Sequence, residues 1–267
     1  MLPTKGTSLG EGGMRSRGTF KKSLAGKPLV SVVTVVFNGA EHLETTIKSV
    51  INQSCDNIEY IIIDGGSTDG TIDIIKKYDH ALDYWVSEID GGIYDAMNKG
   101  IALSCGEWIN FMNAGDIFSD AAIVQHVFSE IEDYAEYDCI YSDALFNYTS
   151  GAKLIRCELR TRRIIHQSLI YKKLLHTIAG PYLVSTGVTI SDYLFFMTIR
   201  NRKWVKYSRP ISTYNPYGLT SGSNAFKQKI AVDVMLGFTG RITAAFFLLC
   251  HPLYHGMKKI LFPHERP

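Results

Sequence analysis

The chain has 267 residues, 46% of them hydrophobic, which is enough to fill the core of one large domain or two small ones. Its 28 basic residues nearly balance 26 acidic ones, and a net charge of +2 gives no reason to expect a nucleic-acid partner. Five cysteines without a CxxC pair argue against a disulfide framework and a structural zinc site, and they favour a reducing cytoplasm.

Three regions differ in composition. Residues 1–27 are rich in Gly, Ser and Lys and lack the apolar stretch of a secretory signal, so we expect a flexible tail. Residues 28–222 contain the alternating patterns of an α/β domain. Residues 223–267 predict a helical extension.

The first half of the domain alternates apolar runs with helical patterns. Runs rich in β-branched residues are typical of strands buried on both faces, and the β-α-β-α-β-α-β-α order predicts a parallel sheet with right-handed crossovers. The predicted strands cover residues 29–37, 58–63, 84–87 and 107–112, and the predicted helices cover residues 41–53, 71–78, 93–103 and 121–130.

The pattern changes after residue 138. A turn at residues 149–151 between two apolar runs predicts a hairpin. Residues 168–176 and 192–202 predict helices, and residues 204–207 predict a short strand. We expect the first half to bind a nucleotide and the second half to complete an acceptor side.

Acidic residues follow the ends of successive predicted strands, in the segments IIIDGGSTDG, SEIDGG and NFMNAGD. In an open α/β sheet, ligands bind beside the carboxyl ends of the strands, where Gly-rich turns let the backbone approach phosphate or sugar. A diphosphate at such an acidic rim would need a cation, and Mg²⁺ or Mn²⁺ held by one or two carboxylates would supply it. This rim therefore predicts nucleotide-sugar binding through a divalent metal.

Five segments resemble the family 2 glycosyltransferases, and within them the group that builds bacterial exopolysaccharides such as colanic acid. They are SVVTVVFN, IIIDGGSTDGT, SEIDGGIYDAMNKGIALSCGEWINFMNAGD, HQSLIYKK and SDYLFF, in this order. The resemblance implies a GT-A fold, a mostly parallel Rossmann-like sheet with helices on both faces. It also implies a nucleotide-sugar donor, a divalent metal and inversion at the anomeric carbon.

The segment NAGD looks like the family's metal-binding Asp-x-Asp element. Its last residue, Asp116, would bind the metal, and Asn113 replaces the first acidic residue. An Asn carbonyl can still bind a cation or the donor, but Asp116 must supply the main charge. The alternative is that Asp116 only forms an Asx turn between strand and helix.

Donor binding is implied for the loops after the first strands. Asp64 would contact the nucleoside, Phe37 would stack on or wall the base, and Asn38 would shape the loop. Gly65 stands where the wider family commonly has a second Asp, so the donor base stays open between UDP- and GDP-sugars. The alternatives are a strand-end turn at Asp64 and a core aromatic at Phe37.

The second glycine turn would meet the sugar. Glu88, Asp90 and Asp95 can accept hydrogen bonds from its hydroxyls, and Asp90 is the preferred donor-site residue. Asn98 and Lys99 lie one helical turn further on and can face the same pocket. Lys99 would offset diphosphate charge, unless it is a solvated helix lysine.

Two residues of the second half are candidates for catalysis. Inverting transfer needs a base that removes the proton of the acceptor hydroxyl, and Asp192 in SDYLFF matches the family's position for it. His166 in HQSLIYKK would lie near the acceptor and donate to a phosphate oxygen. Without the resemblance, Asp192 could be a helix cap and His166 a satisfied core residue.

The resemblance predicts a metal-dependent inverting glycosyltransferase that moves a sugar onto a polyprenyl-linked oligosaccharide in surface polysaccharide biosynthesis. One alternative is a nucleotidyltransferase, for which the loop FNGAEH lacks the expected basic Gly-rich sequence. The other is a non-catalytic nucleotide-sugar-binding scaffold, against which the presence of Asp116, Asp192 and His166 together argues.

The C-terminal segment 242–254 is the most apolar stretch, but His251 and Pro252 interrupt it. As a helix it would reach ~20 Å, at ~1.5 Å per residue, against a hydrocarbon core of ~30 Å. Basic residues flank it, so we expect peripheral attachment to the inner face of the cytoplasmic membrane. Packing as a core or dimer helix is the alternative.

Overall fold

The computed structural model of this protein describes residues 8–24, 26–148, 151–214, 223–245 and 248. Its strands are β1 (Ser8–Gly12), β2 (Val30–Val36), β3 (Ile58–Asp64), β4 (Tyr84–Glu88), β5 (Trp108–Phe111), β6 (Ile117–Phe118), β7 (Cys139–Tyr141), β8 (Ala144–Tyr148), β9 (Gly151–Ile155), β10 (Leu169–Lys172), β11 (Trp204–Lys206) and β12 (Ser212–Tyr214). Its α-helices are α1 (Ala40–Ile51), α2 (Thr71–Lys77), α3 (Ile93–Leu103), α4 (Ile123–Glu130), α5 (Leu175–Ala179), α6 (Ser191–Thr198) and α7 (Ser223–Met235).

The described strands form two sheets. The larger has the order β1-β4-β3-β2-β5-β10-β7-β11, and the smaller has the order β6-β12-β8-β9. Within the larger sheet, β4, β3, β2 and β5 run parallel, and β7 is parallel to β11. Strand β10 is antiparallel to both neighbours, and β1 is antiparallel to β4. The sheet is therefore mostly parallel, as the alternation of strands and helices predicts.

Helices cover both faces of the larger sheet, which is why β2 and β3 are buried along their whole length. Helices α1, α2 and α4 pack on one face, with Leu43, Ile75 and Val127 in the core. Helices α3 and α6 pack on the other face, with Met97 and Phe195 in the core. This layering confirms the predicted α/β architecture and leaves the loops at the carboxyl ends of the parallel strands to form a site.

Strand β10 occupies a segment for which a helix was predicted over residues 168–176, so that prediction was wrong. Leu169, Ile170 and Tyr171 are buried between β5 and β7. A short apolar run does not distinguish a buried strand from a buried helix by its periodicity. The predicted hairpin is present as β8 and β9, although Thr149 and Ser150 of its turn lie outside the described residues.

The described part of the N-terminal segment is docked, whereas the composition predicted a flexible tail. Strand β1 covers the edge of β4, and a 3-10 turn at Met14–Arg17 follows. The Arg15 guanidinium donates to Glu59 Oε1 at 2.7 Å and to the Leu103 carbonyl. Glu59 is 1% exposed, so this ion pair fixes the segment to the domain. The strand sequence SLGEG has no alternation that would predict it.

The predicted C-terminal extension begins with α7, which packs on the domain. The Tyr193 hydroxyl donates to Asp233 Oδ1 at 2.5 Å, and the Arg162 guanidinium lies 3.5 Å from Asp233 Oδ2. Of the apolar segment 242–254, only residues 242–245 and 248 are described, so the predicted membrane contact lies largely outside the described residues. None of the helices in the described ranges has the length and hydropathy to cross a bilayer.

Candidate active site

The loops that follow β2 and β3 are joined at the carboxyl edge of the sheet. Asn38 has a φ of +49°, a left-handed conformation that Asn tolerates better than most residues. Its Oδ1 accepts from the Thr68 N–H at 2.9 Å, and its own N–H donates to Ser67 Oγ at 2.7 Å. The neighbouring Phe37 is 66% exposed, so the core-aromatic alternative does not describe it. Its ring is available to a ligand.

The carboxylate of Asp64 is fully buried and pairs within the fold. Its Oδ1 accepts from Ser67 Oγ at 2.5 Å, and its Oδ2 accepts from Ser87 Oγ at 2.6 Å and from the Ser67 N–H at 3.1 Å. Since Asp64 has no exposed surface, the structure favours the alternative in which it builds the strand-end turn. Neither oxygen of the Asp64 carboxylate is accessible for the direct nucleoside contact that we expected.

The second glycine turn lies against the first. Asp90 Oδ1 accepts from the Gly92 N–H, and Asp95 Oδ2 accepts from the Gly91 N–H, each at 2.8 Å. A Cβ at Gly65 would lie 2.8 Å from Asp90 Oδ2, so a second Asp could not occupy position 65 without displacing Asp90. Burial raises the pKa of Asp90, which remains half-buried at the rim.

The structure gives Asn98 and Lys99 partners inside the protein. Lys99 is 4% exposed, and its Nζ lies 2.9 Å from Glu88 Oε1 and 3.5 Å from Asp95 Oδ2. It is therefore neither a solvated lysine nor an unpaired cation. Asn98 donates to the Tyr182 carbonyl and accepts from the Tyr182 N–H, both at 2.9 Å. Both residues therefore stabilise the structure next to the glycine turns. The expected contacts with the donor would compete with these hydrogen bonds and ion pairs.

A continuous chain of hydrogen bonds joins four residues that are distant in sequence. Asn113 Nδ2 lies 3.0 Å from His166 Nε2, and His166 Nδ1 lies 3.1 Å from Asp192 Oδ2. The Tyr94 hydroxyl donates to Asp192 Oδ1 at 2.8 Å. The chain brings together the end of β5, the 3-10 turn His166–Ser168, the start of α6 and the start of α3. Both predicted catalytic residues, Asp192 and His166, lie in it.

The charge of Asp192 sets the direction of these hydrogen bonds. Burial alone would raise the pKa of Asp192, but the hydrogen bonds from His166 and Tyr94 outweigh it and lower the pKa. An ionised carboxylate only accepts, so His166 donates through Nδ1. In the neutral imidazole, Nε2 accepts from the Asn113 amide nitrogen. Asn113 Oδ1 is then left buried without a hydrogen-bond partner among the described residues.

Asp116 lies beside this chain. It is 5% exposed, and its Oδ2 accepts from Gln167 Nε2 at 2.6 Å. Its backbone N–H donates to the Asn113 carbonyl at 2.9 Å, and its carbonyl accepts from Thr46 Oγ1 at 2.8 Å. Residues 113–116 thus form a turn closed by a backbone hydrogen bond, and the carboxylate of Asp116 points toward Gln167. Because Gln167 follows His166, one short turn contacts both halves of the site.

Oxygen ligands that suit Mg²⁺ or Mn²⁺ lie in the same turn. They are the carboxylate of Asp116 and the amide oxygen of Asn113, whose lack of a protein partner fits a ligand role. Across the described ranges, no group of three or more His, Cys, Asp or Glu residues could hold a metal. The Asp116 carboxylate and the Asn113 amide oxygen fit a cation that takes further oxygens from a bound diphosphate.

The sequence analysis missed Tyr94 and Gln167. Tyr94 is 98 positions from Asp192 in the chain, and Gln167 is 51 positions from Asp116. Both lie inside segments that carried the resemblance, and each is adjacent to a predicted site residue, Asp95 or His166. That adjacency was the available signal, but their partners depend on tertiary packing.

Comparisons with known proteins show the family to which the chain belongs. The sequence model described as glycosyl transferase family 2 matches residues 31–182. A "PGL/p-HBAD biosynthesis glycosyltransferase" of Mycobacterium bovis is 32% identical over 223 residues, which cover 79% of this chain and 87% of the relative. The "putative teichuronic acid biosynthesis glycosyltransferase TuaG" of Bacillus subtilis is 33% identical over 183 residues, 66% of this chain and 69% of the relative.

Solved structures share the fold at low sequence identity. Residues 1–349 of TarS from S. aureus, in complex with UDP-GlcNAc, give a TM-score of 0.64 at 16% identity, over 78% of this chain and 65% of that one. The mannosyltransferase PcManGT of Pyrobaculum calidifontis, in complex with GDP-Man and Mn²⁺, gives a TM-score of 0.60 at 15% identity, over 88% and 74%. These structures confirm the GT-A fold. The chain belongs to the family 2 glycosyltransferases.

Proposed function

We propose that this protein is a metal-dependent inverting glycosyltransferase. It moves a sugar from a UDP- or GDP-sugar to a lipid-linked saccharide in the biosynthesis of a surface polysaccharide. One observation carries the proposal: an ionised Asp192, held by Tyr94 and His166, lies in the same hydrogen-bonded cluster as the metal-ligand candidates Asn113 and Asp116.

The donor would bind across the glycine turns. Two solved structures with the same fold are complexes with UDP-GlcNAc and with GDP-Man, which supports a donor of one of these nucleotide classes. The exposed ring of Phe37 offers a stacking surface for the base. The half-buried carboxylate of Asp90, whose pKa burial raises, would accept a hydrogen bond from a sugar hydroxyl. Asn38 and the buried Asp64 would act on the donor indirectly, by fixing the loop.

The reaction needs a base on the acceptor side. The acceptor hydroxyl oxygen forms the new bond to the anomeric carbon as the bond to the diphosphate breaks, and Asp192 takes the hydroxyl proton. Its lowered pKa keeps the carboxylate ionised and ready to accept at neutral pH. His166 holds the orientation of Asp192 through Nδ1. When bound, Mg²⁺ or Mn²⁺ would neutralise charge on the departing diphosphate.

A panel of nucleotide sugars tests this proposal. Purified protein should release UDP or GDP from one donor when Mn²⁺ or Mg²⁺ is present, and EDTA should abolish the release. NMR of the product should show an inverted anomeric configuration. Nucleotide release that is insensitive to EDTA would reject the metal dependence. Binding of nucleotide sugars without any turnover across donors and polyprenyl-linked acceptors would favour the non-catalytic scaffold.

The proposal about the acceptor rests on the names of the relatives that match the chain and on its C-terminal sequence. The matched relatives are named for PGL/p-HBAD and teichuronic acid biosynthesis, which supports a cell-surface acceptor assembled at the inner face of the membrane. The apolar stretch 242–254 with its basic flanks supports peripheral attachment there.

Sedimentation with vesicles tests the attachment. The full chain should bind anionic liposomes, and a chain truncated after Gly237 should bind much less. Equal binding by both would reject this segment as a membrane anchor and favour its packing in the protein or in a dimer.

A further inference from the structure

Gln167 contacts the residue best suited to bind the metal. Its Nε2 donates to Asp116 Oδ2 at 2.6 Å, and both side chains are buried, at 9% and 5% exposure. The hydrogen bond fixes the rotation of the carboxylate about its own axis. A neutral amide does this without cancelling the negative charge of Asp116, whereas a lysine or arginine at position 167 would cancel it.

The backbone around Gln167 is held from several sides. The side chain of Asn110, on β5, donates to the carbonyls of Gln167 and Leu169 at 3.1 and 2.9 Å. The Ser168 hydroxyl lies 2.7 Å from the Ser212 hydroxyl, and the Ser142 N–H donates to the Ser168 carbonyl at 3.0 Å. These bonds fix the 3-10 turn to the sheet. The side chain of Gln167 is therefore aimed at Asp116 by a rigid element.

We infer that Gln167 is a positioning residue that acts through Asp116, presenting the carboxylate to a divalent cation bound with a nucleoside diphosphate. The inference rests on the proposed function and adds a residue to it. Groups that orient a metal ligand typically raise metal affinity 10–100-fold. The neighbouring His166 performs the corresponding task for Asp192, so one turn positions the metal ligand and the base together.

Replacement by leucine tests this inference, since Gln167→Leu keeps a side chain of similar size and removes the amide. The matched control is Gln53→Leu. Gln53 is equally buried, at 9% exposure, and its amide donates to the backbone carbonyls of Asp120 and Ser49 outside the site. Calorimetry would measure binding of UDP and GDP to the metal-free chain and to the chain with MnCl₂, and thermal melting would report on the fold. Gln167→Met is the second variant if leucine fails to fold.

We expect Gln167→Leu to weaken Mn²⁺-dependent nucleotide binding by about tenfold or more, with metal-free nucleotide binding unchanged. The Mn²⁺ concentration that gives half-maximal transfer should rise in Gln167→Leu, and Gln53→Leu should bind like the wild type. Unchanged Mn²⁺-dependent binding in Gln167→Leu would overturn this inference and leave the proposed function standing. If Gln167→Leu and Gln53→Leu lose nucleotide affinity equally and their melting temperatures fall together, Gln167 has only a structural role and the inference is overturned. A wild-type chain that binds neither nucleotide with Mn²⁺ would overturn the proposed function as well.

Discussion

The proposed donor side and the proposed acceptor side of the site are built differently. On the donor side, the loops after β2, β3 and β4 contact one another, and charged residues such as Asp64 and Lys99 are paired within the fold. On the acceptor side, a few side chains converge on Asp192 and Asp116 from elements far apart in the chain. A strand-end acidic residue thus does not by itself identify a ligand contact, because its hydrogen-bond partners decide between scaffold and site.

The largest effect should come from the acceptor side. Asp192→Asn keeps the shape of the side chain but removes the proposed base, so we expect kcat to fall ~10²–10⁴-fold with little change in donor affinity. Transfer assays and donor calorimetry would measure the two quantities separately. Asp138→Asn serves as the control, because Asp138 precedes β7, at the edge of the sheet opposite the site. Near wild-type transfer by Asp192→Asn would show that Asp192 is not the base.

The second largest effect should be on the free energy of unfolding, through the ion pair that holds the N-terminal segment to the domain. Arg15→Met leaves Glu59 buried without its cation, and losing one partner of a buried ion pair typically costs about 3–5 kcal/mol. Urea denaturation would measure the loss. In the same turn, Arg17→Met removes the pair with Asp79, in which the Arg17 side chain is half exposed, and should cost far less. The double variant Arg15→Met with Glu59→Gln should recover part of the loss. Equal stability of both single variants would mean that β1 docks without the ion pair.

The third effect tests whether Asp116, next to the proposed acceptor side, binds the metal that holds the donor nucleotide. Asp116→Asn should remove most Mn²⁺-dependent binding of donor nucleotide, by about 10–100-fold, while the fold stays intact. The neutral amide keeps the size of the side chain but supplies no charge to the cation. Calorimetry with and without Mn²⁺ measures the effect, and thermal melting checks the fold. Unchanged Mn²⁺-dependent affinity in the variant would exclude Asp116 as the metal ligand.

Much of the fold could be predicted from the sequence, because strands such as β2 and β3 are continuous β-branched runs and their order requires crossover helices. Strand β10 could not, since a short buried run has no diagnostic period, and β1 has no apolar pattern at all. Both were recognisable only from their partners in the sheet.

The same distinction applies to the residues of the candidate site. The positions of Asp116 and Asp192 were predictable from motifs that match a family. The pairing of Lys99 with Glu88, and of Asn98 with the backbone of Tyr182, was not, because it depends on how deeply α3 packs against the sheet. Residues that hold a proposed catalytic group, as Tyr94 holds Asp192, carry no chemical signature of their own. They are found through the distance from their hydroxyl or amide to the group they hold.

The smallest effect should come from Tyr94. Tyr94→Phe removes one hydrogen bond to the ionised form of Asp192, and this raises the lowered pKa of Asp192 toward its ordinary value. Because Asp192 acts as a base only when ionised, the acid limb of the kcat/KM profile should move to higher pH, by less than about one unit for a bond of this kind. At neutral pH, transfer should fall only a few-fold. The stability that the bond adds follows the same sign: it is present above the pKa of an unfolded Asp, near 3.9, and is lost as the pH falls through the lower folded pKa.

Tyr60→Phe is the matched control for this variant. Tyr60 is also a buried tyrosine, and its hydroxyl lies 3.0 Å from Thr34 Oγ1 in the core, away from Asp192. Any general loosening of the fold should therefore appear in both variants as a lower melting temperature, whereas a moved acid limb should appear only in Tyr94→Phe. If the two pH profiles coincide, the Tyr94 hydroxyl contributes to packing alone, and the acceptor side holds Asp192 through His166.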